Sequence, residues 1–356
     1  MMVPIVDAAG SHYDIGFTIG RTVSDRIAGM IRSYQTLFAN LPGFKSTWAQ
    51  AIVHARQYLP YIEEAMPQYV TELRGMADGS GVPFDELLLC NCFEELTDDM
   101  LFEKCTTVAL SPDLTDLGHV LLGHTEDWLP VDREWQYVVR VRPDDEPAFI
   151  SAVYGGLLPN VGFNGNGLAQ CINTVYPKDA RVGIPRLFIG RHVLAAPRLG
   201  VALERALQPR RAAGYNHVIA DDSGEIYSLE TTAAHFDMIY ARHGYVTHTN
   251  HYQSNRLRDL EVTPEELIGS HVRVNRAERL VRQTLRRGPL AIDDVQRILS
   301  DHVNQPYSIC AHAEDVPPRE QTVTISAYVI DLTARTLWYC CGNPCRGEFV
   351  PIALEG

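Results

Sequence analysis

The apolar pattern of this chain changes period once, at Cys105, and that change limits the possible folds more than any other feature. Upstream, Ile15, Ile19, Val23, Ile27, Met30, Ile31 and Tyr34 recur at three- and four-residue steps. This is the period of an amphipathic helix, predicted here over residues 13–38. Gly16, Gly20 and Gly29 fall inside it and weaken it slightly. Leu41-Pro42-Gly43 ends it. Further helices are expected over residues 47–65, 67–80 and 83–96, the last opened by Pro83 at a favourable first position. Residues 1–10 read as a short strand.

Downstream of Cys105 the chain reads as short strands, at residues 108–110, 120–123, 138–141, 148–154, 162–163 and 169–174. Asn164-Gly165-Asn166-Gly167 is a strong hairpin signal. Helices fit residues 185–194 and 199–207. Strands return at 217–220, 226–230, 236–241 and 245–250, helices at 271–286 and 292–302, and a strand pair at 322–331 and 336–341 closes the chain. Strands in two groups with helices between them predict an α+β fold, two packed antiparallel sheets with helices outside.

The 356 residues suffice for a large core in one domain or two. The net charge is −13 and no basic run is dense enough for nucleic acid; residues 273–287 are arginine-rich but contain Glu278 and read as a helix face. No apolar run approaches the roughly 20 residues of a membrane span. Met1-Met2-Val3-Pro4-Ile5-Val6-Asp7 has no basic region before an apolar core, so no signal peptide is expected. With eight cysteines at low density, a reduced cytoplasmic setting is expected. Cys90 and Cys92 have the wrong spacing for a zinc knuckle. They, Cys340, Cys341 and Cys345 read as thiols without chemistry. His248 and His251 lie three apart in a segment read as strand, which sends them to opposite faces. No metal and no cofactor is expected.

A cysteine at a helix-to-strand junction can act as an internal nucleophile. Self-cleavage before it would give one residue both a thiol and an α-amine base. Four local patterns come in order: Cys105-Thr106-Thr107; Gly123-His124-Thr125-Glu126-Asp127-Trp128; His248-Thr249-Asn250-His251; and Pro306-Tyr307-Ser308-Ile309-Cys310 with Arg319-Glu320-Gln321-Thr322 beyond it. Together they resemble the acyl-coenzyme A:6-aminopenicillanate acyltransferase (isopenicillin N acyltransferase) family of N-terminal nucleophile hydrolases. The similarity runs along the whole chain.

That resemblance implies an αββα sandwich and a precursor that cuts its own Lys104–Cys105 bond. Residues 1–104 would become a helical fragment and residues 105–356 the catalytic one, together forming one domain. It further implies Cys105 as nucleophile, Asp127 as the acid of the hairpin, Asn250 as oxyanion donor and Arg319 as the arginine near the site. Two positions depart from the family pattern. Lys104 replaces a glycine, and Thr125-Glu126-Asp127 replaces Asn-Trp-Asp.

The residue types suit acyl chemistry. A thiolate is the reactive form of cysteine, whose free pKa is about 8.5. An α-amine with a pKa of about 7.7–8.0 is a fitting base near neutrality. An asparagine amide can stabilise the oxyanion, and losing one such donor costs about 100- to 1000-fold in rate. Asp127 could hold the protonated amine. Arg319 could orient Asp127 or clamp a substrate carboxylate. The implied partners are a small amide or acyl thioester and the chain's own N-terminal fragment, with neither nucleic acid nor membrane. Two rival readings are an unprocessed precursor with a binding role, and a papain-like protease pairing Cys105 with a distant histidine.

Overall fold

The computed structural model describes residues 3–40, 46–97, 104–262, 267–315 and 322–354. Among the described residues, seven helices precede Cys105: α1 (His12–Thr22), α2 (Ser24–Asn40), α3 (Trp48–Ala55), α4 (Leu59–Ala65), α5 (Pro67–Ser80), α6 (Phe84–Asn91) and α7 (Phe93–Thr97), with β1 (Ile5–Gly10) before them. The hairpin β2 (Lys104–Leu110) and β3 (Leu121–Trp128) comes next, then β4 (Gln136–Pro143), β5 (Phe149–Tyr154), β6 (Gly162–Asn164) and β7 (Leu168–Val175). After these come α8 (Arg186–Leu194), α9 (Leu199–Ala206), β8 (Gly214–Asp221), β9 (Ile226–Thr231), β10 (Phe236–Tyr240) and β11 (Tyr245–His248). Then α10 (Ile268–Leu285), α11 (Ile292–Leu299), β12 (Val323–Asp331), β13 (Thr336–Cys341) and β14 (Val350–Ala353) complete the chain.

These strands form two sheets, β1-β4-β5-β6-β7-β8-β9-β10 and β11-β2-β3-β12-β13-β14. Alternating side chains make the layers. Val108 and Leu110 of β2 face α10 and α11, where Ala277, Val281, Val295 and Leu299 meet them. Ala109, between them, points the other way into the inter-sheet core with Val138, Ile150, Phe163, Tyr328 and Ile330. On the first sheet, Val139, Val141 and Phe149 turn outward against the upstream helices. The order is helices, sheet, sheet, helices, the αββα sandwich. No helix among the described residues is long and apolar enough to cross a membrane.

Several boundaries differ from the sequence reading. The helix expected over 13–38 is two, broken at Val23, whose backbone (φ −119°, ψ 30°) leaves the helical region. The helices expected over 47–65 and 83–96 are likewise each split in two, and β14 had no sequence signal. The sheets are antiparallel except that β1 joins β4 in parallel. The glycines read as weak points are packing devices. A Cβ on Gly16 would lie 1.8 Å from the Glu72 carbonyl oxygen, and one on Gly75 would lie 2.2 Å from that of Tyr13. Only glycine lets α1 and α5 cross this closely.

The helices before Cys105 are bonded to the rest of the chain by buried charge as well as by β1. Glu72 on α5 accepts from Arg191 Nη2 of α8 at 3.0 Å, and His12 Nδ1 of α1 lies 2.9 Å from it. Arg191 also meets Glu146 at 3.0 Å.

Candidate active site

Cys105 lies on β2, between β11 and β3, and is 2% exposed. Register rather than sequence spacing builds its surroundings. Cys105 stands opposite Glu126 on β3, and Lys104 opposite Asp127. Beyond β3, Asp127 is paired with Thr324 of β12, next to an irregularity between Thr324 and Ser326. Among the described residues, the pocket against Cys105 is lined by Glu94, Glu126, Tyr154, Tyr215, Tyr328 and other side chains that include no lysine or arginine. It is narrow, with about 50 Å³ open to the centre of a water-sized sphere, room for a few waters.

The backbone N–H of Cys105 donates to Asn250 Oδ1 at 2.8 Å. Asn250 lies just beyond β11, and its Nδ2 donates to the Thr174 carbonyl at 3.1 Å. Arg273 Nη2 donates to the same Oδ1 at 2.8 Å. Two donors on that atom fix the orientation of the amide. Arg273 Nη1 also donates to the Cys105 carbonyl at 2.5 Å and to Thr106 Oγ1 at 3.1 Å. Burial pushes the guanidinium below its usual value while Asp127 pushes it back up.

Asp127 is fully buried. Its Oδ1 accepts from Thr324 Oγ1 at 2.6 Å, and its Oδ2 has no hydrogen-bond partner among the described residues. Burial raises its carboxyl to about 7, against the pull of Arg273, Thr324 and Lys104. It is therefore poised between neutral and charged near pH 7.

His124 stands in the second of the four motifs, which assigns it no role. One of its ring nitrogens, the Cys105 sulfur and a Glu126 carboxylate oxygen lie within 4.8 Å of one another. The Thr107 hydroxyl donates to Asn173 Oδ1 at 3.1 Å, so at 2.8 Å it accepts from His124 Nδ1. Nε2 then faces Glu126 at 3.2 Å.

Of the four residues expected at the site, Cys105, Asp127 and Asn250 come together here. Arg319 lies outside the described residues. Arg273 was missed because its arginine-rich stretch reads as a solvated face. A signal was present: Arg273, Ala277 and Val281, at four-residue steps, all lie on the buried side of α10. His248 and His251 are not on opposite faces, since the chain leaves β11 at His248 and their rings stack 6.5 Å apart. His248 is engaged by Glu230 at 2.7 Å.

The layered fold and the cysteine at the head of a central strand are those of an N-terminal nucleophile hydrolase, an amide hydrolase or acyltransferase. The chain belongs to the acyl-coenzyme A:6-aminopenicillanic acid acyl-transferase family, which it matches over residues 115–346. It is similar to the beta-alanyl-dopamine/carcinine hydrolase of Drosophila melanogaster, with 28% identity over 383 aligned positions, 97% of this chain and 94% of the relative. Among solved structures, an N-acylethanolamine-hydrolyzing acid amidase ortholog of Caenorhabditis elegans shares 13% identity, with 64% of this chain and 93% of that one covered and a TM-score of 0.46. A variant of conjugated bile acid hydrolase from Clostridium perfringens shares 13%, with 70% and 97% covered and a TM-score of 0.48. Structural likenesses this distant say nothing about substrate.

Proposed function

We propose that this chain is a precursor that cuts its own Lys104–Cys105 bond and then hydrolyses a small amide through a thioester on Cys105. The observation that carries the reading is the grip on Cys105. Its nitrogen rests on Asn250 Oδ1 while the residue itself lines the pocket. That nitrogen is the atom that cleavage would free as an α-amine.

In the first stage the Cys105 sulfur attacks the Lys104 carbonyl carbon. The C–N bond breaks, the thiol proton ends on the nitrogen, and Lys104 is left as a thioester. Water releases its carboxylate and restores the thiol. No free amine exists yet, so another group must take the thiol proton, and the His124–Glu126 pair is within reach. In the second stage the α-amine is the base. The second N–H of Asn250 supports the oxyanion, ionised Asp127 holds the protonated amine, and Arg319 orients Asp127 or binds a substrate carboxylate. The fragments 1–104 and 105–356 stay together as one domain, a reading supported by the β1–β4 pairing and their shared core.

The pocket favours a substrate with an ammonium group. Glu94 accepts from Tyr215 at 2.5 Å and Glu126 faces His124 at 3.2 Å; Glu126, the strand partner of Cys105, is the carboxylate beside the nucleophile and so the one best placed for it. The Drosophila relative is named for a β-alanyl amide, whose amine lies two carbons from the carbonyl that is cut. Water as acceptor suits so narrow a site.

Intact mass under denaturing conditions, on wild type and Cys105→Ala, tests the first stage. Two fragments from wild type, the larger starting at Cys105, and an uncut variant are expected. An uncut chain with amidase activity would favour the papain-like pairing with His124. An uncut, inactive chain would favour the binding role. For the substrate, β-alanyl amides should be turned over faster than acetyl amides, and Glu126→Gln, assayed on chains whose cleavage before Cys105 has been verified by mass, should erase that preference mainly through KM. A preference unchanged in Glu126→Gln would refute the assignment.

A further inference from the structure

A second cluster of chemistry-bearing side chains lies outside the pocket. His302 lies just beyond α11, Cys310 and His312 lie on the approach to β12, and Cys345 lies after β13. One ligand atom from each of the four lies within 4.8 Å of every other. The two sulfurs are 3.7 Å apart and the two Nε2 atoms 3.0 Å apart. His312 Nε2 is 3.6 Å from Cys310 Sγ and 3.4 Å from Cys345 Sγ.

A zinc ion with Zn–S of about 2.3 Å and Zn–N of about 2.0–2.1 Å sets its tetrahedral ligand atoms about 3.3–3.8 Å apart. Three of the four separations above match that figure and the two imidazole nitrogens lie slightly inside it, while the two sulfurs lie within 4.8 Å of His302. Two thiolates and two imidazoles form a donor set suited to zinc. Supporting contacts are also present. Asn343 Nδ2 lies 3.5 Å from Cys310 Sγ, and Glu314 lies 3.5 Å from His312 Nδ1, the ring nitrogen facing away from the cluster. The Glu314 contact is an ion-pair distance and not a hydrogen bond.

We infer that His302, Cys310, His312 and Cys345 form a tetrahedral structural zinc site. All four positions are filled by protein, which leaves no open place for a substrate or a reactive water. The ion joins the loop after α11, the approach to β12 and the turn after β13. Its ligands also flank Ala311, whose N–H donates to Thr324 Oγ1 at 2.9 Å, and that hydroxyl donates to Asp127. The zinc site therefore braces the support of Asp127 from outside the pocket. The spacing of the ligands, seven residues, then one, then thirty-two, matches no compact zinc motif. Cys345, a thiol without chemistry in the sequence reading, is here a ligand.

The test is elemental analysis of the full-length chain, purified under reducing conditions and gel-filtered, as wild type, Cys345→Ser, His302→Ala and the control Cys341→Ser. Cys345 is exposed and His302 half-buried, so neither substitution removes core packing. Expected are about one zinc per chain in wild type and control, and at least about a tenfold loss in both site variants. Cobalt substitution should give thiolate-to-cobalt charge-transfer absorption that weakens in Cys345→Ser. Three results would overturn the assignment: no zinc in wild type even after zinc is supplied, zinc undiminished in the site variants, or a Cys310–Cys345 disulfide found by peptide mass mapping.

Discussion

Replacing Glu72 with alanine tests what holds the upstream helices to the sheets. Glu72 and Arg191 are both fully buried. The carboxylate takes Arg191 Nε at 3.3 Å and Nη2 at 3.0 Å, with His12 beside it. Breaking a buried ion pair from one side typically costs about 3–5 kcal/mol, because it leaves an uncompensated charge in the interior. Arg191 keeps Glu146, so the lower end applies, about 3 kcal/mol or roughly 150-fold in the unfolding equilibrium. With a urea slope of about 3 kcal/mol per molar, the midpoint should fall by about 1 M. The pH dependence carries the signature of the cluster. Burial pushes the Glu72 carboxyl up, but Arg191 and His12 outweigh it and hold it below its ordinary value. Its contribution is therefore complete above the usual glutamate range and is lost as pH falls through the lowered value. Burial pushes His12 down, but Glu72 outweighs this and raises it. The histidine contribution is present below about 6.5 and is lost as pH rises through the raised value. The gap between wild type and variant should thus be widest between about pH 4.5 and 6.5, close steeply on the acid side and narrow only partly on the alkaline side. A midpoint shift below about 0.3 M with an unchanged slope would refute this account.

Two further predictions concern the site itself. Arg273→Met leaves the Cys105 carbonyl and Asn250 Oδ1 each short of a buried donor, at about 1–3 kcal/mol per group. It should slow the appearance of the Cys105 fragment in a mass time course more than Arg273→Lys does, and equal rates in the two variants would argue against positioning by the guanidinium. Asp127 has its carboxyl raised to about 7 in the uncut chain, so it favours the native state below its unfolded value near 3.9 and loses that advantage as pH rises to 7. Stability of uncut Cys105→Ala should therefore drop by roughly 2–4 kcal/mol between pH 4 and 7 through this group. Adding Asp127→Asn should flatten that fall, and a slope unchanged by the asparagine would show that another group titrates.

The sequence revealed local features and missed most of what depends on register. The switch of period at Cys105 was readable because helix and strand impose different apolar spacings within a few residues. Asp127 and Asn250 came from the family resemblance and not from apolar spacing. The pairing of Cys105 with Glu126 and of Lys104 with Asp127 was not readable, because one residue of slip would send each to the opposite face. Arg273 was hidden by its composition. Among six arginines in residues 273–287, the one that enters the core differs only in its place on the apolar stripe. Gly16 and Gly75 were hidden by propensity, which scores the cost of a glycine within its own helix and cannot see the partner helix that requires it.

The same contrast separates the two cysteine sites. Cys105 was found because a single residue at a junction can carry both nucleophile and base, so its meaning is local. Cys310 and Cys345 are thirty-five residues apart and meet because β12 and β13 pair antiparallel, from Ser326 opposite Cys341 to Asp331 opposite Thr336. That pairing carries the chain after Cys341 back to the entry of β12, where Cys310 and His312 wait beside His302. No spacing rule would collect these four residues. A folded hairpin does, and the segment it gathers at the start of β12 is the one that supports Asp127. The catalytic and metal-binding readings therefore converge on Thr324, whose hydroxyl joins Ala311 to the carboxylate. A Thr324→Val chain keeps the shape of the side chain and removes that link. It should retain zinc while raising the Asp127 carboxyl above about 7, because the lost hydrogen bond is one that lowers it. The alkaline shift would be read from the pH dependence of stability in the Cys105→Ala background. Loss of zinc in that chain would mean that the hydroxyl holds the metal segment rather than the carboxylate.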